Sequence, residues 1–102
     1  MQTTNMKNET VRVSQGVVPV PEELSTQSIA GLAEIIRGNW KPKVYFGAVP
    51  YLDAMRSMQS INDDYGFDPG REVVNYFLAN AQTWRGDVAR SVKAELNKRV
   101  SS

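Results

Sequence analysis

Two short stretches of the chain combine a capping residue, a glycine and an arginine where a helix is expected to begin. They are residues 68–73 (DPGREV) and residues 83–88 (TWRGDV). A cation in the first turn opposes the helix dipole, and glycine lowers helix propensity by up to about 1 kcal/mol. Such departures from local preference collect at functional positions, and free amides beside an arginine suit a phosphate or a carboxylate. We therefore predict that Arg71 and Arg85 bind an acidic partner or an anion.

A structural explanation of the same residues stays open. Arg71 and Arg85 would then pair with nearby acids such as Asp68, and the two glycines would allow helices to pack closely. Trp84 also has two interpretations, since tryptophan and arginine dominate interface hot spots but a tryptophan at a helix start often fills the core. We predict Trp84 as a partner contact, together with Tyr45 and Tyr76 as exposed aromatic residues.

A second hypothesis is nucleic-acid binding, because basic and aromatic residues alternate over residues 40–46 (WKPKVYF), as they do in single-strand binders. The last helix is also basic and would serve as a recognition helix. The residues predicted for this role are Trp40, Lys41, Lys43, Arg90 and Lys93. The structural alternative is that the aromatic residues of 40–46 seal the core, while Asp87 and Glu95 pair with bases one turn later.

Catalysis is not expected, because the chain contains no histidine and no cysteine. Imidazole carries most acid and base chemistry at neutral pH, and thiolates and imidazoles hold most zinc. The acids around Asp63 do not have the spacing of a calcium-binding loop, so we assign them to caps and turns. We predict a protein that is not an enzyme, with no catalytic residue, no cofactor and no metal site.

Length and charge narrow the classes further. The 102 residues fit one domain, and a formal net charge of +1 produces no global attraction to nucleic acid or anionic lipid. No apolar run is long enough to span a bilayer, and the start of the chain does not resemble a signal peptide. We expect a cytoplasmic protein without membrane contact.

The pattern of apolar residues predicts a mainly α fold, a small bundle of about four helices. Residues 1–22 are expected to form a flexible arm and a proline-containing extended strap, and residues 23–102 the helical domain. The first helix is predicted at about 25–37 and the second from Pro50, after a short extended segment near 43–47. The third is predicted to be capped by Asp68 and the fourth by Thr83, which would place Arg85 inside that last helix.

Three strings within residues 40–96 resemble those of small uncharacterised bacteriophage proteins: residues 45–55 (YFGAVPYLDAM), 76–81 (YFLANA) and 83–86 (TWRG). The resemblance brings no assigned activity to particular residues. It implies a phage or prophage origin, where small accessory proteins often bind a host or virion component. Our leading hypothesis is a non-catalytic helical protein that acts by protein contact, with a host or virion component or with itself.

Overall fold

The computed structural model describes residues 19–40, 43–65 and 68–102. The α-helices within these residues are α1 (Pro21–Ser25), α2 (Ile29–Asn39), α3 (Val49–Met55), α4 (Gly70–Ala79) and α5 (Asp87–Ser101). A 3-10 turn, Phe46–Ala48, leads directly into α3. Two short strands, β1 (Asp64–Tyr65) and β2 (Asp68–Pro69), pair antiparallel, with Asp64 opposite Pro69. The predicted mainly α class is confirmed.

Four helices form a closed ring around the core. Helix α2 contacts α3 and α5, and α4 contacts the same two helices from the other side, while α1 packs against α5. Burial of apolar side chains inside this ring is the main favourable term in folding. The largest fully buried side chains come from every part of the ring: Trp84, Phe77, Leu24, Ile29, Leu32, Ile36, Met55, Met58, Leu96, Val74 and Val92.

The region before α2 differs from the predicted strap. Val20 is extended, but Pro21 begins a short helix whose Leu24 is buried against the core. Helix α2 therefore starts later than the predicted residue 25, after Ser28, whose hydroxyl accepts a hydrogen bond from the Gly31 amide at 2.9 Å. Residues 1–18 of the predicted arm lie outside the described residues.

The loop after α3 is hydrogen-bonded to the start of α2. Pro50 lies in the first turn of α3, as predicted, but the helix ends at Met55 and the chain continues as a loop. In that loop the carbonyl of Met58 accepts a hydrogen bond from the Ala30 amide at 2.7 Å, at the start of α2. The Asp63 carboxylate accepts bonds from two loop amides, which confirms the assignment of this acid to turn chemistry.

Both predicted caps of the last two helices are wrong. Asp68 belongs to β2, and α4 begins at Gly70, where a Cβ atom would collide with the Asp63 carbonyl oxygen. Thr83 and Trp84 lie in a loop, and α5 begins only after Gly86. The Gly86 φ of 113° lies in the left-handed region that favours glycine, so this residue ends the loop and Arg85 is not helical.

The segment near 43–47 is also less extended than predicted. Residues 43–45 have no regular structure, and the 3-10 turn already starts at Phe46. Across residues 19–40, 43–65 and 68–102, no helix combines the length and the apolar character needed to cross a membrane.

Candidate functional site

Arg71 is engaged inside the molecule. Its Nη1 atom donates to the carbonyl oxygens of Val100 and Ser102, the latter at 3.2 Å, at the end of α5. These carbonyls have no partner within their own helix, and a cation near a helix C-terminus is favourable. Arg71 therefore caps α5, and no ion pair with an acid is found for it among the described residues. Its predicted contact with a partner stays a prediction.

Trp84 and Trp40 form the central aromatic contact of the core, which we call the indole stack. The two indole rings lie nearly parallel, with a centroid distance of 5.8 Å, and Trp40 and Phe77 form a T-shaped pair with a centroid distance of 6.3 Å. Trp84 is 2% exposed, and its Nε1 donates to Asn39 Oδ1 at 2.9 Å. Trp84 is not a surface anchor, and Trp40 has no free ring face on which a base could stack.

The basic residues near Trp84 are also largely engaged. Lys93 Nζ donates to the Trp84 carbonyl at 2.6 Å and lies 5.8 Å from the centre of the Trp84 ring. Burial, and then the nearby charge of Arg85, lower the pKa of Lys93. Arg90 is paired with Asp87 at 2.7 Å, as the structural alternative predicts. Arg85 itself is exposed beside them.

The predicted nucleic-acid residues lie on different elements of the chain. Trp40 is buried, Lys43 is exposed on the loop before the 3-10 turn, and Arg90 and Lys93 lie on α5 beside the indole stack. Lys41 lies outside the described residues.

Glu95 is paired with Arg99 at 2.7 Å, and the same arginine donates to the Leu24 carbonyl at 2.9 Å, so this pair holds α1 on α5.

A group of exposed apolar side chains lies instead on the 3-10 turn, α3 and α4. Phe46 is 77% exposed, and Tyr45, Val49 and Tyr76 are 42%, 38% and 48% exposed. The predicted exposure of Tyr45 and Tyr76 is confirmed. Phe46, by contrast, does not seal the core as the structural alternative for residues 40–46 requires.

Two pairs of aromatic rings pack in this region. The rings of Tyr45 and Phe46 lie 4.9 Å apart, and those of Tyr51 and Tyr76 lie 5.4 Å apart. Gly47 lies between the Tyr45 ring and Asn80, because a Cβ atom there would meet the Tyr45 ring at 2.5 Å and Asn80 Oδ1 at 3.0 Å. The Asn80 side chain in turn donates to the Tyr76 carbonyl at 2.9 Å. We call Tyr45, Phe46, Val49, Tyr51 and Tyr76 together the aromatic face.

The orientation of α3 explains why Val49 and Phe46 are exposed. Ala48, Leu52 and Met55 are all buried, and their spacing of i, i+4 and i+7 defines the core side of the helix. Val49 and Phe46 fall outside this row and point to solvent. The spacing is readable from the sequence, so it could have identified these two residues, but the apolar composition of 40–46 suggested burial.

The aromatic face carries no charge of its own. Residues 44–52 (VYFGAVPYL) and 73–84 (VVNYFLANAQTW) contain no acidic and no basic residue. The face can therefore exclude water from an apolar partner without removing an ion from solvent, which would be costly.

No reactive constellation was found in the described part of the chain. Residues 19–40, 43–65 and 68–102 contain no group of three acids that could hold a metal ion. Over the same residues, every buried side-chain nitrogen or oxygen has a hydrogen-bond partner. The aromatic face is therefore the surface feature that most needs a functional explanation.

Comparison of this chain with protein-family models, curated proteins and solved structures gives no match.

Proposed function

We propose that this protein is a non-catalytic helical accessory protein that acts by protein contact through the aromatic face. The observation that carries the proposal is the exposure of Phe46, Tyr45, Val49 and Tyr76 at the 3-10 turn, α3 and α4, which are packed against one another. Large apolar side chains that stay exposed together, on a chain whose core is otherwise well packed, mark interaction sites.

The size of the face supports a specific contact. Since an aromatic side chain presents about 200 Å², the exposed fractions of the four side chains amount to roughly 400 Å² of apolar surface. The largest patch on a typical monomer is about 300–600 Å² and is often functional. Aromatic residues also dominate the energetic centres of protein interfaces, where a few side chains supply most of the affinity.

The restricted conformational freedom of the aromatic face also favours binding. Within each pair the two rings already pack on each other, and the 3-10 turn and α3 are short, regular elements anchored by buried side chains. Little conformational freedom remains to be lost on contact, which reduces the cost of association. Phe46 is the side chain with the most surface to bury.

The proposed setting is a phage or prophage, with the protein in the host cytoplasm. The resemblance of residues 45–55 and 76–81 to small bacteriophage proteins supports this setting, and both strings contain residues of the aromatic face. The partner would then be a host or virion component with an apolar surface, or a second copy of the chain.

Affinity capture with a matched pair of variants tests the proposal. Tagged wild-type protein, Phe46→Ser and Val20→Ser are incubated with bacterial host lysate, and retained proteins are identified by mass spectrometry. Val20 is the control because it is 49% exposed but precedes α1, away from the aromatic face. We expect a partner that is retained by the wild type and by Val20→Ser and lost from Phe46→Ser. Equal retention by all three proteins contradicts the proposal.

A further inference from the structure

We infer that the aromatic face binds a second copy of this chain, so that two copies pair face to face around a twofold axis. This inference rests on the proposed function, because it names the partner of the same surface. The residues that form the centre of the interface are Tyr45, Phe46, Val49 and Tyr76 of each copy.

The distribution of charge is the first argument for pairing of two copies. In a twofold interface each residue near the axis meets its own counterpart, so a charge at the centre would face a like charge. The stretch 44–52 carries no charge, and its charged neighbours, Lys43 and Asp53, lie at opposite ends with opposite signs. Both are exposed, so they can stay hydrated at the rim of a paired interface.

The apolar area that pairing would bury is the second argument. Two copies that cover each other's aromatic face would remove roughly 800 Å² of apolar surface from water. This area is below about 1,200 Å², the lower limit of standard specific interfaces. Transient interfaces lie at this end of the range, so a reversible, concentration-dependent dimer is expected.

Sedimentation velocity of the purified chain tests the inference. Wild type, Phe46→Ala and the control Val20→Ala are measured from about 1 μM to about 1 mM, the range of weak to moderate affinities. We expect the wild type and Val20→Ala to change from the mass of one chain to the mass of two. The midpoint of this change should move at least about tenfold higher in Phe46→Ala, as for a hot-spot truncation.

Three results would overturn the inference: one-chain mass at every concentration, growth beyond two chains, or an unchanged midpoint in Phe46→Ala. Circular dichroism of the three proteins checks that the helices are intact. If the chain stays a monomer while Phe46→Ser still loses a captured host protein, the second copy is wrong as partner and the proposed contact function stands.

Discussion

The indole stack and the aromatic face use the same kinds of residue for opposite purposes. Trp40 and Trp84 are buried and stacked, and Trp84 donates a hydrogen bond to Asn39. Phe46 and Tyr76, by contrast, are exposed. Phe46 is only six positions after Trp40 in the sequence. Composition therefore does not decide which aromatic residue stabilises the fold and which is free to bind. The row of buried positions in the adjoining helix decides it.

The largest expected difference between the two regions is in stability. Trp84→Ala should lower the free energy of unfolding by about 3–5 kcal/mol, because it leaves a cavity beside Trp40 and removes the ring stack. Phe46→Ala should change it by less than about 0.5 kcal/mol, as for an exposed position. Urea denaturation of both variants measures the difference, and a loss of similar size in both would remove the distinction between the regions.

Two glycine-to-alanine substitutions extend the comparison of stability between the two regions. Gly70→Ala places a methyl group against the backbone carbonyl of Asp63 and 2.6 Å from Met58 Cε, so about 1–3 kcal/mol of stability should be lost. Gly47→Ala meets mainly the ring of Tyr45, an exposed side chain that can rotate away. Its cost should be well under that of Gly70→Ala. Thermal unfolding of both variants checks the order.

Gly38→Ala is the matched control for this pair. Gly38 is exposed within α2, and a Cβ atom there would meet no atom within 4 Å. Since alanine is the better helix former by up to about 1 kcal/mol, this variant should be slightly more stable than the wild type. A Gly70→Ala variant as stable as Gly38→Ala would show that the predicted collision is absent.

Substitution of one asparagine in each region should give a smaller difference in stability. Asn39→Ala removes the acceptor of the Trp84 Nε1 hydrogen bond and should cost about 1 kcal/mol of unfolding free energy. Asn80→Ala removes an exposed bond to the Tyr76 carbonyl and should cost less. Chemical denaturation measures both values, and a larger loss for Asn80→Ala would contradict the assignment of the stack as the structural region.

The smallest expected effect concerns Lys93 and can be followed by its side-chain NMR signals. Burial and then Arg85 lower the pKa of Lys93, so the unfolded chain holds its proton to higher pH than the folded chain. Stability should therefore rise with pH between the folded and the unfolded pKa of this group. Arg85→Ala should raise the Lys93 pKa part of the way toward its ordinary value and reduce that rise.

Arg90→Ala serves as the control for the titration, because Arg90 is paired with Asp87 and is not a cause of the Lys93 shift. It should leave the Lys93 pKa nearly unchanged. A Lys93 pKa that is the same in the wild type and in Arg85→Ala would show that burial alone produces the shift.

The sequence predicts the mainly α class and the central part of each long helix, because apolar periodicity follows the core directly. The first residue of each helix is harder to predict. Asp68 and Thr83 are good local caps, but the tertiary structure places the helix starts elsewhere. Gly70 is needed where α4 passes close to Asp63, and Gly86 is needed at a φ of 113°. Neither requirement leaves a local pattern in the sequence.

The site was predictable only in part, for a related reason. Arg71 binds carbonyl groups about 30 residues further along the chain, so no local pattern reveals its partner. The exposure of Tyr45 and Tyr76 was predicted, whereas the burial of Trp84 depends on a loop that brings it back to Trp40. The exposure of Phe46 could be read from the buried row Ala48, Leu52 and Met55.

Hydroxyl-radical footprinting of the purified chain, at low and at high protein concentration, tests most directly whether the two aromatic regions differ in function. Trp40 and Trp84 should be modified slowly at both concentrations, because both are buried. Phe46, Tyr45 and Tyr76 should be modified rapidly in the dilute sample and become protected in the concentrated one. Rapid modification of Trp84, or a Phe46 that is already protected in the dilute sample, would contradict this division.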